Sequence, residues 1–118
     1  MRAIRGAVCL QQDDPDEMRE AVSELLTTML ARNSVTTDEV ISVLLTSTPD
    51  LVSAFPAVAA RDCGFSDVPL LCAQEIDVRG ALARVVRVMM HVDSDLPRSQ
   101  VEHVYLRGAQ ALRPDLRR

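Results

Sequence analysis

The stretch DPDEMREAVSELLTTMLARN, residues 14–33, decides the fold class of this chain. Asp14 can accept a hydrogen bond from a free backbone N–H at a helix start, Pro15 fits the first helical position, and Glu17 stands at the spacing of a capping box. Asn33 suits the left-handed conformation that ends many helices. The apolar side chains that recur with helical periodicity on one face are Met18, Val22, Leu25, Leu26 and Met29. The spacing predicts one long amphipathic helix over about residues 14–32.

Segments of strand character lie on both sides of this helix. They are residues 2–10, 40–46, 68–76, 81–92 and 101–106. A short alanine-rich helix is predicted after Phe55-Pro56, and Gly64 can end it. The order predicts an α+β, ferredoxin-like domain with one mixed sheet of about five strands, covered on one face by the long helix. Because the strands are too apolar to leave the second face in water, we expect an obligate homo-oligomer with ligand sites between subunits.

The composition is that of one globular domain. The chain has 118 residues, 47% of them hydrophobic and 25% charged, which predicts a single domain over residues 1–118. All 13 basic residues are arginines, and 17 acidic residues outnumber them, so the net charge of −4 argues against nucleic-acid binding. No apolar run is long enough for a membrane span or a signal peptide, so we expect a cytoplasmic protein. Arg113-Pro114-Asp115 predicts a flexible tail from about residue 113.

The cysteines and histidines predict no metal centre. Cys9, Cys63 and Cys72 are odd in number and form no C-x-x-C pair, and His91 and His103 are the only histidines. Cys9 and Cys63 are most simply small buried hydrophobic residues.

Charged residues inside apolar segments mark a candidate site. Arg87 interrupts RVVRVMM, Glu75 lies within VPLLCAQEIDV, and Arg5 lies in the first strand segment. Arg84 is expected on the opposite face of the same strand as Arg87. A buried charge without a partner costs about several kcal/mol, so each needs a partner or a ligand. A structural ion pair of Arg87 with Glu75 between neighbouring strands is one explanation. Binding of a small polyanion, with electrostatic catalysis, is the other.

Seven short motifs occur in an order that resembles a known family. They are IRGA (4–7), STPDL (47–51), AFPA (54–57), VP..C.QE.DV (68–78), RVMM (87–90), HVYL (103–106) and LRPDL (112–116). The resemblance runs from about residue 2 to residue 116, and QE.DV and RVMM are its most specific motifs. The chain is similar to the single-domain chorismate mutases that assemble as a pseudo-α/β-barrel homotrimer, rather than to the all-helical chorismate mutases.

This resemblance implies an enzyme that converts chorismate to prephenate in phenylalanine and tyrosine biosynthesis. The reaction is an intramolecular Claisen rearrangement that needs no cofactor, metal or covalent intermediate. The catalytic residues it implies are Arg87, at the ether oxygen and one carboxylate, and Glu75, at the ring hydroxyl. The substrate-binding residues it implies are Arg5 and Tyr105 at a carboxylate, Cys72 beside Glu75, Phe55 and Arg61 from an adjoining subunit, and Leu112 with Arg113 in a tail over the entrance.

Two departures and two rival functions accompany that expectation. Val58 stands where relatives often carry lysine, and Leu71 stands where threonine is expected. Both departures would change the affinity for the substrate. An imine or enamine deaminase of the Rid type shares a trimeric architecture but would not need the Glu75–Arg87 pair. A regulatory domain for an aromatic amino acid would bind its ligand without turning over chorismate.

Overall fold

A computed structural model describes residues 1–112, and the tail predicted from residue 113, with Arg113, lies outside them. The strands of the described part are β1 (Arg2–Cys9), β2 (Val40–Ser47), β3 (Leu70–Gln74), β4 (Val85–Val92) and β5 (Val104–Leu106). Its helices are α1 (Pro15–Arg32) and α2 (Pro56–Asp62), and short 3₁₀ turns cover Thr37–Glu39, Arg98–Gln100 and Ala109–Leu112. The predicted α+β class and the single mixed sheet of five strands are confirmed.

The sheet has the strand order β3-β2-β4-β1-β5. β4 pairs antiparallel with β2 and β1, while β3 joins β2, and β5 joins β1, in parallel. The two short strands, β3 and β5, are therefore the edges. One row of paired residues, called here the central row, crosses all five strands through Ala73, Thr46, Arg87, Ala7 and Tyr105. Directly paired residues share a face, so these five side chains lie on the same side of the sheet.

Two helices pack on the other side of the sheet, whereas the sequence led us to expect the long helix alone to cover it. The predicted apolar stripe of α1 is buried completely or nearly so. Ala59 and Ala60 of α2 are buried in the same core, and α2 contacts β2 and β3. The core therefore lies between the sheet and a layer of both helices.

The start of α1 follows the prediction with one change of partner. Asp14 caps the helix, because its Oδ2 accepts from the backbone N–H of Glu17 at 2.9 Å. The Glu17 carboxylate does not return to Asp14. It accepts from the backbone N–H groups of Gln11 at 2.6 Å and Gln12 at 3.0 Å, which fixes the loop that enters the helix.

The helix α1 ends at the predicted residue, Arg32, but the conformation of the residue that follows differs from the prediction. Asn33 has a φ of −109°, and Ser34 takes the left-handed conformation instead, with a φ of 54°. The Asn33 amide is buried, donates to the carbonyl oxygens of Met29 and Glu102 at 2.9 Å each, and accepts from the Glu102 N–H at 2.8 Å. Asn33 thus joins the helix end to the segment that leads into β5.

Three predicted strands, residues 68–76, 81–92 and 101–106, are shorter in the structure. The clearest reason is at β4, where Arg84 has a left-handed φ of 52° and therefore cannot continue the strand backwards. Its N–H donates to both carboxylate oxygens of Asp50, at 3.0 and 3.2 Å. The expectation that Arg84 lies on a strand face is wrong, because the strand begins one residue later.

The cysteines carry no metal site in the described part of the chain. Cys9 and Cys63 are half-buried, and burial raises the pKa of both thiols. No group of three His, Cys, Asp or Glu side chains within residues 1–112 is placed to hold a metal ion. In the same range no helix is long and apolar enough to cross a bilayer.

Candidate active site on the open face of the sheet

The face of the sheet opposite the helices, called here the open face, carries the central row. Arg87 lies at the middle of that row, and 52% of its side-chain surface is exposed. Its setting was expected to be buried, and the alternation of β4 explains the difference. Val86 and Val88 point into the core, whereas Arg87 and Met89 point to the open face.

Arg87 and Glu75 meet as predicted, but not between neighbouring strands. The Nε atom of Arg87 lies 3.3 Å from Oε2 of Glu75, whose side chain is 17% exposed. Glu75 directly follows β3, and its backbone N–H donates to the Ser47 carbonyl at 2.9 Å. Because β2 separates β3 from β4, the pair reaches across β2 at the position of Thr46. The Thr46 hydroxyl donates to the same Oε2 at 2.6 Å.

Arg5 and Tyr105, two more of the expected ligand-binding residues, lie near Ala7 on the same face of the sheet. Arg5 lies two residues before Ala7 on the same face of β1, and its guanidinium forms no ion pair within residues 1–112. Tyr105 is opposite Ala7 on β5. With strands about 4.8 Å apart, the Cα atoms of Arg87 and Tyr105 are separated by about 10 Å, and the small side chain of Ala7 lies between them.

Leu112 closes one end of this arrangement. A small apolar cluster on the open face consists of Ala7, Val85 and Ala109, with Cys9, Tyr105 and Leu112 packed against it. The residues Arg5, Glu75, Arg87, Tyr105 and Leu112 are called here the arginine group. One chain brings all of them to the open face or its end.

The remaining expected site residues lie elsewhere. A pocket of about 480 Å³ at the edge formed by β3, called here the edge pocket, is lined by Phe55 and Cys72 together with residues of the loop before α2. Phe55 is 71% exposed, and Cys72 packs partly against the main core. Arg61 is exposed in the last turn of α2 and does not line this pocket. Cys72 was expected beside Glu75; it lines the edge pocket together with Phe55, and its part in substrate binding stays a prediction.

Asp13 fixes the loop that forms one wall of the edge pocket. Its carboxylate accepts from the backbone N–H groups of Val52 and Ser53 at 3.1–3.2 Å. A hydrogen bond from the Ser53 side chain, and then those from the two backbone N–H groups, lower the pKa of Asp13 below its ordinary value of 3.8. Asp13 draws no attention in the sequence, because an acidic residue next to a helix cap is explained by the cap alone.

Thr46 was missed for a similar reason. Threonine is common in strands, so its place at the end of VISVLLT draws no attention. Its polarity among apolar neighbours was the available signal, and the strand order was needed to show that it lies between Arg87 and Glu75.

Known proteins are similar to this chain over almost its whole length. The family model described as chorismate mutase type I matches residues 1–116. The chain is 48% identical to chorismate mutase AroH of Thermus thermophilus, over 98% of this chain and 96% of that one. It is 42% identical to chorismate mutase AroH of Bacillus subtilis (strain 168), over 98% and 92%.

The fold agrees with a solved relative as well. A chorismate mutase from Clostridium thermocellum superposes with a TM-score of 0.91 at 42% sequence identity, covering 94% of this chain and 99% of that one. Sequence and fold therefore lead to the same conclusion: the chain belongs to the type I chorismate mutase family.

Proposed function

We propose that this chain rearranges chorismate to prephenate at the arginine group, as a step of aromatic amino-acid biosynthesis. The observation that carries the assignment of the site is the contact between Arg87 and Glu75 on a half-exposed face. An ion pair that serves only stability gains little at such an exposed position. A site for an anionic substrate needs a guanidinium that remains accessible, and Arg87 meets that need.

The roles follow from the charges of the reaction. Chorismate is a flexible dianion that must adopt a chair-like conformer before its ends can react, and fixed cations can select that conformer. Arg87 donates to the ether oxygen, where negative charge develops as the C–O bond breaks. Glu75 accepts from the ring hydroxyl and balances positive charge on the ring. Binding is thus stronger in the transition state than in the ground state.

Arg5 and Tyr105 hold a substrate carboxylate in this scheme. Their positions on β1 and β5, on the side of Arg87 away from Glu75, support that division of labour. Leu112 covers the same end of the site. None of these steps requires a metal or a cofactor.

We also propose that the active enzyme is a homotrimer with each site shared by two chains. A row of paired open-face residues beside the central row contains Leu71, Leu44 and Met89 before it reaches Arg5. Leu71 is 62% exposed and Leu44 is 42% exposed, so this apolar strip supports burial against another copy. Phe55 and Arg61 would then come to the arginine group from the adjoining chain. The cytoplasmic location stays a prediction.

The decisive experiment replaces Arg87 and follows the loss of chorismate absorbance. Arg87→Ala should lower kcat about 100-fold or more, by analogy with removal of a donor to a developing anion. Arg87→Lys should also fail, because an ammonium cannot reproduce the two-pronged guanidinium.

Arg98→Ala is the matched control, since Arg98 is exposed in a 3₁₀ turn and forms no ion pair within residues 1–112. It should keep wild-type kinetics. Near-wild-type turnover in Arg87→Ala would remove Arg87 from the mechanism.

A further inference from the structure

We infer that Thr46 is a positioning residue that sets the orientation of the Glu75 carboxylate. The inference rests on the proposed function, because it matters only if Glu75 acts on the substrate. Thr46 itself has no contact with the reacting atoms in the proposed mechanism, and within residues 1–112 its side chain forms no hydrogen bond with Arg87. It acts by fixing the geometry of Glu75, which does contact the substrate in that mechanism.

Glu75 needs such a residue because of where it stands in the chain. Its backbone makes the last hydrogen bond to β2, N–H to the Ser47 carbonyl at 2.9 Å. The residues that follow are exposed, with Ile76 at 86% and Val78 at 59%. A glutamate side chain with three rotatable bonds at this boundary is not held by packing on its C-terminal side.

Thr46 supplies the missing constraint from a rigid element. It lies inside β2, paired with Ala73 on one side and Arg87 on the other. Its backbone is thus fixed by two strands, and a β-branched side chain has few rotamers. Its hydroxyl donates to Oε2 of Glu75 at 2.6 Å. A hydrogen bond to a charged acceptor is among the stronger ones in proteins.

The choice of oxygen decides what the rest of the carboxylate can do. Thr46 Oγ1 and Arg87 Nε both approach Oε2, at 2.6 and 3.3 Å. Within residues 1–112, Oε1 receives no hydrogen bond and no ion pair. The two contacts therefore hold Oε2 and leave Oε1 available to accept from the substrate's hydroxyl.

The test compares Thr46→Val with Thr46→Ser in chorismate turnover. Valine keeps the β-branched shape and removes the donor, so kcat should fall about tenfold while KM changes less than about threefold, the split expected when an interaction of the transition state is lost. Serine keeps the hydroxyl and should retain kcat near wild type. Thr27→Val, the same chemical change on the exposed face of α1, should leave both constants unchanged.

A double-mutant cycle separates positioning from stability. In a Glu75→Ala background, Thr46→Val should change kcat by less than about twofold, because the partner is already gone. Unchanged kcat in Thr46→Val, equal losses in the Val and Ser variants, or a further tenfold loss in the double variant would each overturn the inference. Should Thr46→Val not fold, Thr46→Ala takes its place with the same expected values.

The same series distinguishes this inference from the proposed function. If Glu75→Ala itself retains wild-type kcat, the role of Glu75 is wrong and the inference is overturned with it. If Glu75→Ala is impaired while Thr46→Val is not, only the role of Thr46 is overturned.

Discussion

At the scale of single residues, Gly6 shows how tightly β1 approaches α1. A Cβ atom at Gly6 would lie 2.5 Å from Sδ of Met29 and 3.1 Å from Cδ1 of Leu25. Both side chains are completely buried, so neither can swing into solvent to make room. The absence of a side chain at Gly6 therefore sets the distance between the sheet and the helix at the point of β1 between Arg5 and Ala7.

Gly6→Ala should destabilise the chain by about 1–3 kcal/mol, the range for adding a methyl group to a packed core. The measurement is urea unfolding followed by circular dichroism. Shortening Met29 in a Gly6→Ala/Met29→Ala variant should make the combined loss smaller than the sum of the two single losses. Strict additivity would contradict the steric explanation.

The sequence was sufficient to single out Arg87 and Glu75, because a charge in an apolar run conflicts with its setting whatever the fold. It was not sufficient for Thr46, whose residue type suits any strand. Arg87 was also expected to be buried, because β4 carries apolar side chains on both faces. The sequence does not show which of these faces packs against the helices and which is left for another copy or the substrate.

At the scale of elements, the bounds of α1, which depend on local sequence signals, were predicted well, whereas the lengths of the edge strands were not. α1 was predicted within a residue because its cap, its first proline and its apolar period are all contained in the helix itself. The helix ends at Arg32 as predicted, but the left-handed conformation expected at Asn33 was wrong. The Asn33 amide instead binds Glu102, which is 69 residues away. β3 and β5 are shorter than predicted because only one neighbour fixes an edge strand.

The Asp13 carboxylate helps to hold the loop before α2, so the stability of this loop should depend on pH. The hydrogen bonds of Asp13 to Ser53 and Val52 lower its pKa, so the contribution is complete above the ordinary value of 3.8 and is lost as the pH falls through the lower value of the folded state. Asp13→Asn should therefore lower Tm at pH 7, and the difference from wild type should shrink below about pH 4.

Asp67→Asn serves as the control for that series. Asp67 is exposed and makes no hydrogen bond or ion pair within residues 1–112. Its replacement should have a small effect at every pH in thermal unfolding. A difference for Asp13→Asn that stays constant from pH 7 to pH 2.5 would show that its carboxylate charge does not hold the loop.

At the scale of the whole molecule, the expected site residues divide into two sets. The arginine group lies over β4, β1 and β5, with Glu75 reaching in from the end of β3. Phe55 and Cys72 lie at the β3 edge, and Arg61 is on α2, which packs over β2 and β3. This division could not be predicted from the sequence, because it depends on a strand order in which chain neighbours are separated.

A site shared by two chains makes a prediction for mixed oligomers. Arg87→Ala and Arg61→Ala should each be nearly inactive alone. When the two are unfolded together in equal amounts and refolded, a site is intact if one chain supplies Arg87 and the next supplies Arg61. Random mixing in a ring gives about one quarter of wild-type turnover. Activity no higher than that of the separate variants would contradict the shared site, and sedimentation gives the number of chains directly.

The charge of Arg87 in the central row also affects which registers of β4 against its neighbouring strands are favourable. If β4 slipped by one residue against its neighbours, Arg87 would turn under the helices and Val86 and Val88 would turn to the open face. A guanidinium enclosed by aliphatic side chains with no carboxylate beside it is a costly arrangement. Apart from the substrate-binding role proposed for it, the charge of Arg87 therefore favours the observed strand register, since a sheet misaligned by one residue is penalised at this position.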